Sequence, residues 1–149
     1  MKRRDLLRGL STVAAAIAVA PPARAQKGKV GAGVLSIPEY LARAALLLDE
    51  TRRSQDWVGG HPGDLGLAAL ALELSQARAE AAASIAAPTQ LKQAHMHLLL
   101  TIENTTASFD STVRSEGKKA AQRMSAARLE EQTFNLALEQ AKTKLPVIK

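Results

Sequence analysis

The chain has 149 residues, which fits one domain, and 46% of them are hydrophobic while 23% are charged. It contains no cysteine, which excludes disulfides, thiolate metal sites, iron–sulfur clusters and covalently attached c-type haem. Residues 1–25 carry five basic side chains and one acidic one, so the net charge of +6 leaves 6 − 4, or about +2, for the remainder. Such a balanced remainder argues against nucleic acid as a partner.

Residues 1–25 have the three parts of a targeting segment. A basic start precedes an apolar stretch from Gly9 to Ala20, and Ala23-x-Ala25 supplies the small residues that signal peptidase accepts. A membrane-spanning helix needs roughly 20 apolar residues, so this stretch is too short to span a bilayer. We therefore expect cleavage before Gln26, with no stable membrane anchor afterwards.

The basic start contains, in order, Arg3, Arg4, Leu6, Leu7 and Arg8. This pattern resembles the twin-arginine signal class, in which two arginines, any residue, two apolar residues and a basic residue follow one another. Arg24 also fits that class, whereas Lys2 stands where the class usually has Ser or Thr. The resemblance covers the targeting segment alone and implies export to the periplasm in the folded state; the alternative is an ordinary secretory signal.

Glycine-rich residues 26–35 predict a flexible tail, after which Ser36 and Glu39 have the spacing of a capping box. Gly59 is expected to end the first helix in the left-handed conformation, and Asp64 to cap the second.

Hydrophobic periodicity predicts an all-α, antiparallel up-down four-helix bundle over residues 36–145. The predicted helices span 37–56, 65–86, 88–115 and 118–144. Residues 104–108 of the third helix are weak helix formers and are expected to bend or loosen it.

The second predicted helix is apolar on nearly every side of its first half. Leu67, Leu70 and Leu74 share one side, opposite a second apolar side. A helix in a monomeric bundle normally keeps one polar face. This helix is therefore either unusually buried or in contact with another protein, either a partner or a second subunit.

His95 lies on the apolar face of the third helix and Glu131 on that of the fourth. If they meet, the pair would ligate a metal or tune a proton-transfer group. The structural alternatives are a buried hydrogen bond, or a Glu131 side chain that extends to the edge of the helix interface. Met124 is a candidate axial haem ligand with His95, although a methionine at helical spacing is more often part of the core. No particular cofactor is implied, and no metal site is expected.

Trp57 and His61 lie in a distinctive glycine-rich loop, and exposed loops carry function more often than the middles of helices do. The simpler expectation is that the loop reverses the chain and that Trp57 covers the end of the core. No nucleophile–base set or phosphate-binding loop occurs in the sequence, so we do not expect an enzyme. The leading hypothesis is an exported periplasmic bundle that acts by protein–protein contact, as an accessory, scaffold or holdase subunit. The alternative is a bundle that binds a metal, haem or small apolar ligand between its helices.

Overall fold

A computed structural model describes residues 33–144 of the chain, and this part is an all-α bundle of four helices. The predicted fold class is confirmed. The helices are α1 (Ile37–Gly60), α2 (Leu65–Ala83), α3 (Lys92–Val113) and α4 (Gly117–Lys144), and a single 3-10 turn at Thr89–Leu91 precedes α3. The predicted targeting segment and most of the predicted tail, residues 1–32, lie outside the described residues.

The predicted capping box begins α1. The Ser36 hydroxyl accepts from the backbone NH of Glu39, and the Glu39 carboxylate accepts from the backbone NH of Ser36 at 3.0 Å. Two backbone donors that have no partner within the helix are satisfied in this way. Just before the cap, the backbone NH of Leu35 donates to the carbonyl of Ala86, so the start of α1 is joined to the segment after α2.

The predicted end of α1 at Gly59 is wrong. The helix continues through Gly59 to Gly60, and the left-handed residue is Gly63, with φ +89°. Gly63 lies in the tight reversal between α1 and α2, where a positive φ is needed to turn the chain. Asp64 then caps α2 as expected, because its carboxylate accepts from the backbone NH of Leu67 at 2.9 Å.

The interior differs between the two ends of the bundle. At the end that holds the start of α1, large side chains such as Tyr40, Leu98 and Phe134 form a continuous apolar cluster. At the other end the buried positions are mostly small or hydroxylic, and Phe109 is the main large side chain there. The small and polar buried residues at this end include Thr51, Ser54, Gln55, Ala68, Ala71, Ser75, Thr105, Ser108, Ser111 and Ala120.

Residues 104–108 lie within α3 and do not interrupt it. Thr105 and Thr106 donate their hydroxyls to the carbonyls of Thr101 and Ile102, four residues earlier, at 2.9 and 2.8 Å. These bonds satisfy the hydroxyls inside their own helix. The helix therefore continues while burying polar side chains.

The two glycines make a paired test of the α1–α2 reversal. Nothing lies within 4 Å of a Cβ built on Gly59 or Gly63, so only backbone conformation separates them. Gly59→Ala is expected to stabilise the fold by about 0.5–1 kcal/mol, because alanine suits a helix better. Gly63→Ala is expected to destabilise it by about 1 kcal/mol or more, because its φ is positive. Urea unfolding of both variants measures the difference, and equal effects would contradict this description of the turn.

Candidate functional site

An open groove of about 800 Å³ runs between α1 and α2. Its volume falls within the range of ligand-binding pockets. Its walls are mainly apolar, with charged groups along the α1 side. The residues that line it are Leu47, Glu50, Arg53, Ser54, Asp56, Trp57, Leu67, Leu70, Ala71, Leu74, Ala77, Arg78 and Ala81.

The α2 wall of this groove has the spacing of a coiled-coil seam. Leu67, Leu70, Leu74, Ala77 and Ala81 follow one another at intervals of three and four residues, which places them on one face of the helix. Leu70 is 49% exposed and Leu74 44% exposed, while Ala77 and Ala81 are also exposed and Leu67 is partly buried. We call these five residues the α2 seam.

The seam faces outward because small residues occupy the inward face of α2. Ala68, Ala71 and Ser75 are the buried positions of its first half. The Ser75 hydroxyl lies 2.6 Å from that of Thr106 on α3, so the two helices pack closely. Leucines would not fit into such a close contact. The first half of α2 thus has a tightly packed inner side of small residues, while Leu67, Leu70 and Leu74 lie on its outer side.

Trp57 does not cover the end of the core, as the sequence suggested. It is 58% exposed and contributes to the α1 side of the groove. Its carbonyl accepts a hydrogen bond from Nδ1 of His61 at 2.9 Å, which orders the last turn of α1. Because α1 continues past residue 56, the last residue of the predicted helical span, Trp57 lies within the helix rather than in the loop after it.

The charged groups of the groove are balanced in sign. Glu50 and Arg78 face each other across it, with 3.4 Å between the carboxylate and the guanidinium Nε. Arg53 pairs with Asp49 on its own helix at 2.8 Å. Within residues 33–144, Nη1 of Arg78 is buried without a hydrogen-bond partner. Arg78 is therefore held in place mainly by packing and by Glu50.

His95 and Glu131 each have a partner on α1 rather than each other. Nδ1 of His95 lies 3.4 Å from the Tyr40 hydroxyl, which makes a long hydrogen bond, and the two rings meet edge to face at 5.7 Å. Glu131 forms an ion pair with Arg52. Because α1 packs beside both α3 and α4, it supplies the partner that the sequence assigned across the α3–α4 interface.

A different histidine–carboxylate pair joins α3 and α4. Nδ1 of His97 donates to the Glu130 carboxylate at 2.7 Å, and both side chains are partly exposed. The Ser108 hydroxyl donates to the carbonyl of Ala120, and the same antiparallel register places His97 level with Glu130. No signal in the sequence gives this register. Helical periodicity predicted instead a candidate pair, His95 and Glu131, because both lie on the apolar faces of their helices.

Met124 is partly buried on α4. No group of three histidine, aspartate or glutamate residues in the described region has the proximity needed to hold a metal ion. Likewise, no helix between residues 33 and 144 is long and apolar enough to cross a membrane.

Burial shifts the ionisation of the Tyr40–His95 pair. Loss of water raises the pKa of Tyr40 to about 12, so the hydroxyl keeps its proton at neutral pH. The same loss of water lowers the pKa of His95, because the charged imidazolium is less well solvated. The pair is therefore a neutral hydrogen bond at the edge of the apolar cluster, with Tyr40 rather than Glu131 as the partner of His95.

The chain matches no protein-family model, and no curated protein or solved structure is significantly similar to it. The function is therefore argued from the residues of this chain.

The His95 pKa shift predicts how stability depends on pH. Because the folded-state pKa lies below the ordinary value of 6.5, the unfolded chain binds more protons between the two values. The contribution of His95 to the free energy of unfolding is fully present above pH 6.5, and it is lost as the pH falls through the folded-state pKa. His95→Gln removes the titrating ring and keeps a polar side chain beside Tyr40, so it should lessen this loss when urea unfolding is compared at about pH 7.5 and about pH 5.5.

His61→Gln is the matched control, because His61 lies in the exposed reversal after α1. It should keep the wild-type loss of stability between the two pH values. An unchanged loss in His95→Gln would contradict the assignment of this pH dependence to His95.

Proposed function

We propose that the chain is an exported periplasmic protein that works by protein–protein contact, with the groove between α1 and α2 as its contact surface. It would serve as an accessory, scaffold or holdase subunit. The observation that carries the proposal is the outward-facing α2 seam, in which Leu70 and Leu74 remain about half exposed beside the exposed Trp57. Contiguous exposed apolar surface bounded by charges is typical of protein-binding sites.

The shape of the groove supports a helical segment of a partner chain as the bound element. Two parallel walls formed by neighbouring helices match the mode in which an amphipathic helix places its apolar face in a groove. The walls offer large side chains at the Trp57 end and the small side chains of Ala77 and Ala81 at the other. Burial of this surface would contribute roughly 25 cal/mol for each Å² of apolar area removed from water.

Export by the twin-arginine route is supported by the sequence of residues 1–25. The arginine pair, the short apolar stretch and the Ala23-x-Ala25 site all lie in that segment. Folded export suits a bundle whose helices are joined by short connections, because such local topologies fold fast.

The export proposal predicts a specific effect of the arginine pair. Arg3→Lys together with Arg4→Lys keeps the charge of the segment, so a receptor that reads only positive charge would not distinguish it from wild type. We expect the double variant to remain as uncleaved precursor, while wild type appears in the periplasm beginning at Gln26. Cell fractionation with N-terminal mass measurement distinguishes the two.

Arg8→Lys is the control outside the pair, and it should be exported. Normal export of the double variant would contradict the twin-arginine route and favour an ordinary secretory signal.

The contact proposal predicts where crosslinks form in living cells. A photoreactive amino acid in place of Leu70 should yield adducts with protein, because this side chain opens into the groove. The same substitution at Leu136, which is 63% exposed on α4, is the control and should yield few. Adding Leu74→Asp should abolish the Leu70 adducts without lowering the melting temperature, since Leu74 is 44% exposed.

Equal adducts at the two positions, or adducts that persist in Leu74→Asp, would contradict the groove as the contact surface.

A small apolar ligand in the same groove is the second candidate, and the groove volume of about 800 Å³ favours it. Native mass spectrometry of gently purified protein separates the two. A bound small molecule that is lost in Leu74→Asp would favour the ligand, whereas an additional protein chain would favour the contact.

A further inference from the structure

We propose that the partner in the groove is a second copy of this chain, bound through an antiparallel pairing of the two α2 seams. The inference rests on the proposed function, because it names the partner for the same surface. It starts from the order of large and small side chains along α2. Leu70 and Leu74 are followed, at the same heptad spacing, by Ala77 and Ala81.

When a second α2 runs in the opposite direction, the leucines of each helix face the alanines of the other. In an antiparallel pair with the two-fold axis between Leu74 and Ala77, Leu70 meets Ala81 of the second copy, and Leu74 meets Ala77. Each of the four layers then combines one leucine with one alanine. Facing large and small side chains fill an interface evenly and let the helices approach closely. A parallel pair would instead place leucine on leucine at one end and alanine on alanine at the other.

The position of Trp57 fits the same arrangement. The Glu50–Arg78 pair shows which levels of the antiparallel helices α1 and α2 coincide, and it places Trp57 near Ala71. In the antiparallel dimer, the level of Ala71 on one α2 corresponds to residue 80 on the other. Trp57 of one copy would therefore cover the Ala81 end of the second copy, where the small side chains leave room.

The charges of the groove do not oppose this pairing. Glu50 and Asp56 are balanced by Arg53 and Arg78, so two identical grooves meet with no net charge on either. A two-fold symmetric interface needs such self-complementarity, because the same patch of each copy faces that patch of the other copy in the opposite direction. A strongly charged helix from another protein would gain little electrostatic attraction from the groove, because its acidic and basic side chains balance.

The size of the surface predicts a weak dimer. The seam from Leu67 to Ala81 is about 21 Å long and about 10 Å wide, and with a similar strip of α1 it covers roughly 400 Å² per copy. Standard stable interfaces bury about 800 Å² per partner. Self-association is therefore expected between about 1 µM and about 500 µM, rather than at nanomolar concentrations.

Cysteine pairs test both the dimer and its register, because the chain has no cysteine of its own. Leu70→Cys and Ala81→Cys chains, mixed and mildly oxidised, should form a disulfide-linked dimer of the two different chains. Neither variant should crosslink with itself, because equivalent positions would lie eleven residues, or about 16 Å, apart along the pair. A disulfide requires its Cα atoms within about 7 Å.

Sedimentation of the unsubstituted protein supplies the independent measurement. Its average mass should rise with concentration, and the emission of Trp57, the single tryptophan, should shift to shorter wavelength in parallel. Leu74→Asp should remain monomeric, whereas Leu136→Ala, on the exposed face of α4, should associate as wild type.

A monomer at every concentration, or a disulfide between two Leu70→Cys chains, would overturn the antiparallel dimer. The proposed contact function would survive that result if the photoreactive group at Leu70 still formed adducts with a different protein in cells. Loss of both would overturn the two proposals together.

Discussion

The close packing of α2 against α3 determines how the rest of the bundle is arranged. Ala68, Ala71 and Ser75 face inward, and the hydroxyl of Ser75 lies within hydrogen-bond distance of Thr106. Because small residues occupy the inner face of α2, the leucines of its seam lie on the outer face. They form the wall of a groove, and α1 closes the other side of that groove without filling it. The candidate binding surface is thus a direct result of how the interior is packed.

The sequence predicted the helices better than the contacts between them. The capping box at Ser36 and the cap at Asp64 are local signals, so the starts of α1 and α2 followed from a few neighbouring residues. The end of α1 was misplaced because three glycines occur close together there, and only the backbone shows that Gly63 takes the positive φ. A local sequence pattern shows that a turn is present, but it does not show which of the glycines adopts the positive φ.

The candidate site was partly predictable for a similar reason. Periodicity identified Leu67, Leu70 and Leu74 as an apolar side of α2, but it could not distinguish a buried side from an exposed one. It also placed His95 and Glu131 on inner faces without showing that α1 would supply the partner of each. Which side chains meet between helices depends on the register of the helices and on which third helix lies beside an interface. The hydrophobic periodicity of a single helix contains neither piece of information.

The two halves of α1 are held in the bundle by different kinds of side chain. Its first half inserts Tyr40 and Leu48 into the apolar cluster, whereas its second half buries Thr51, Ser54 and Gln55. Gln55 donates to the hydroxyl of Thr105 at 2.8 Å, and this bond replaces the large hydrophobic contacts found at the other end. Local opening requires least free energy where few apolar contacts are broken. Local opening of the second half of α1, which forms one wall of the groove, is therefore expected to require less free energy than opening of the first half, which the apolar cluster holds.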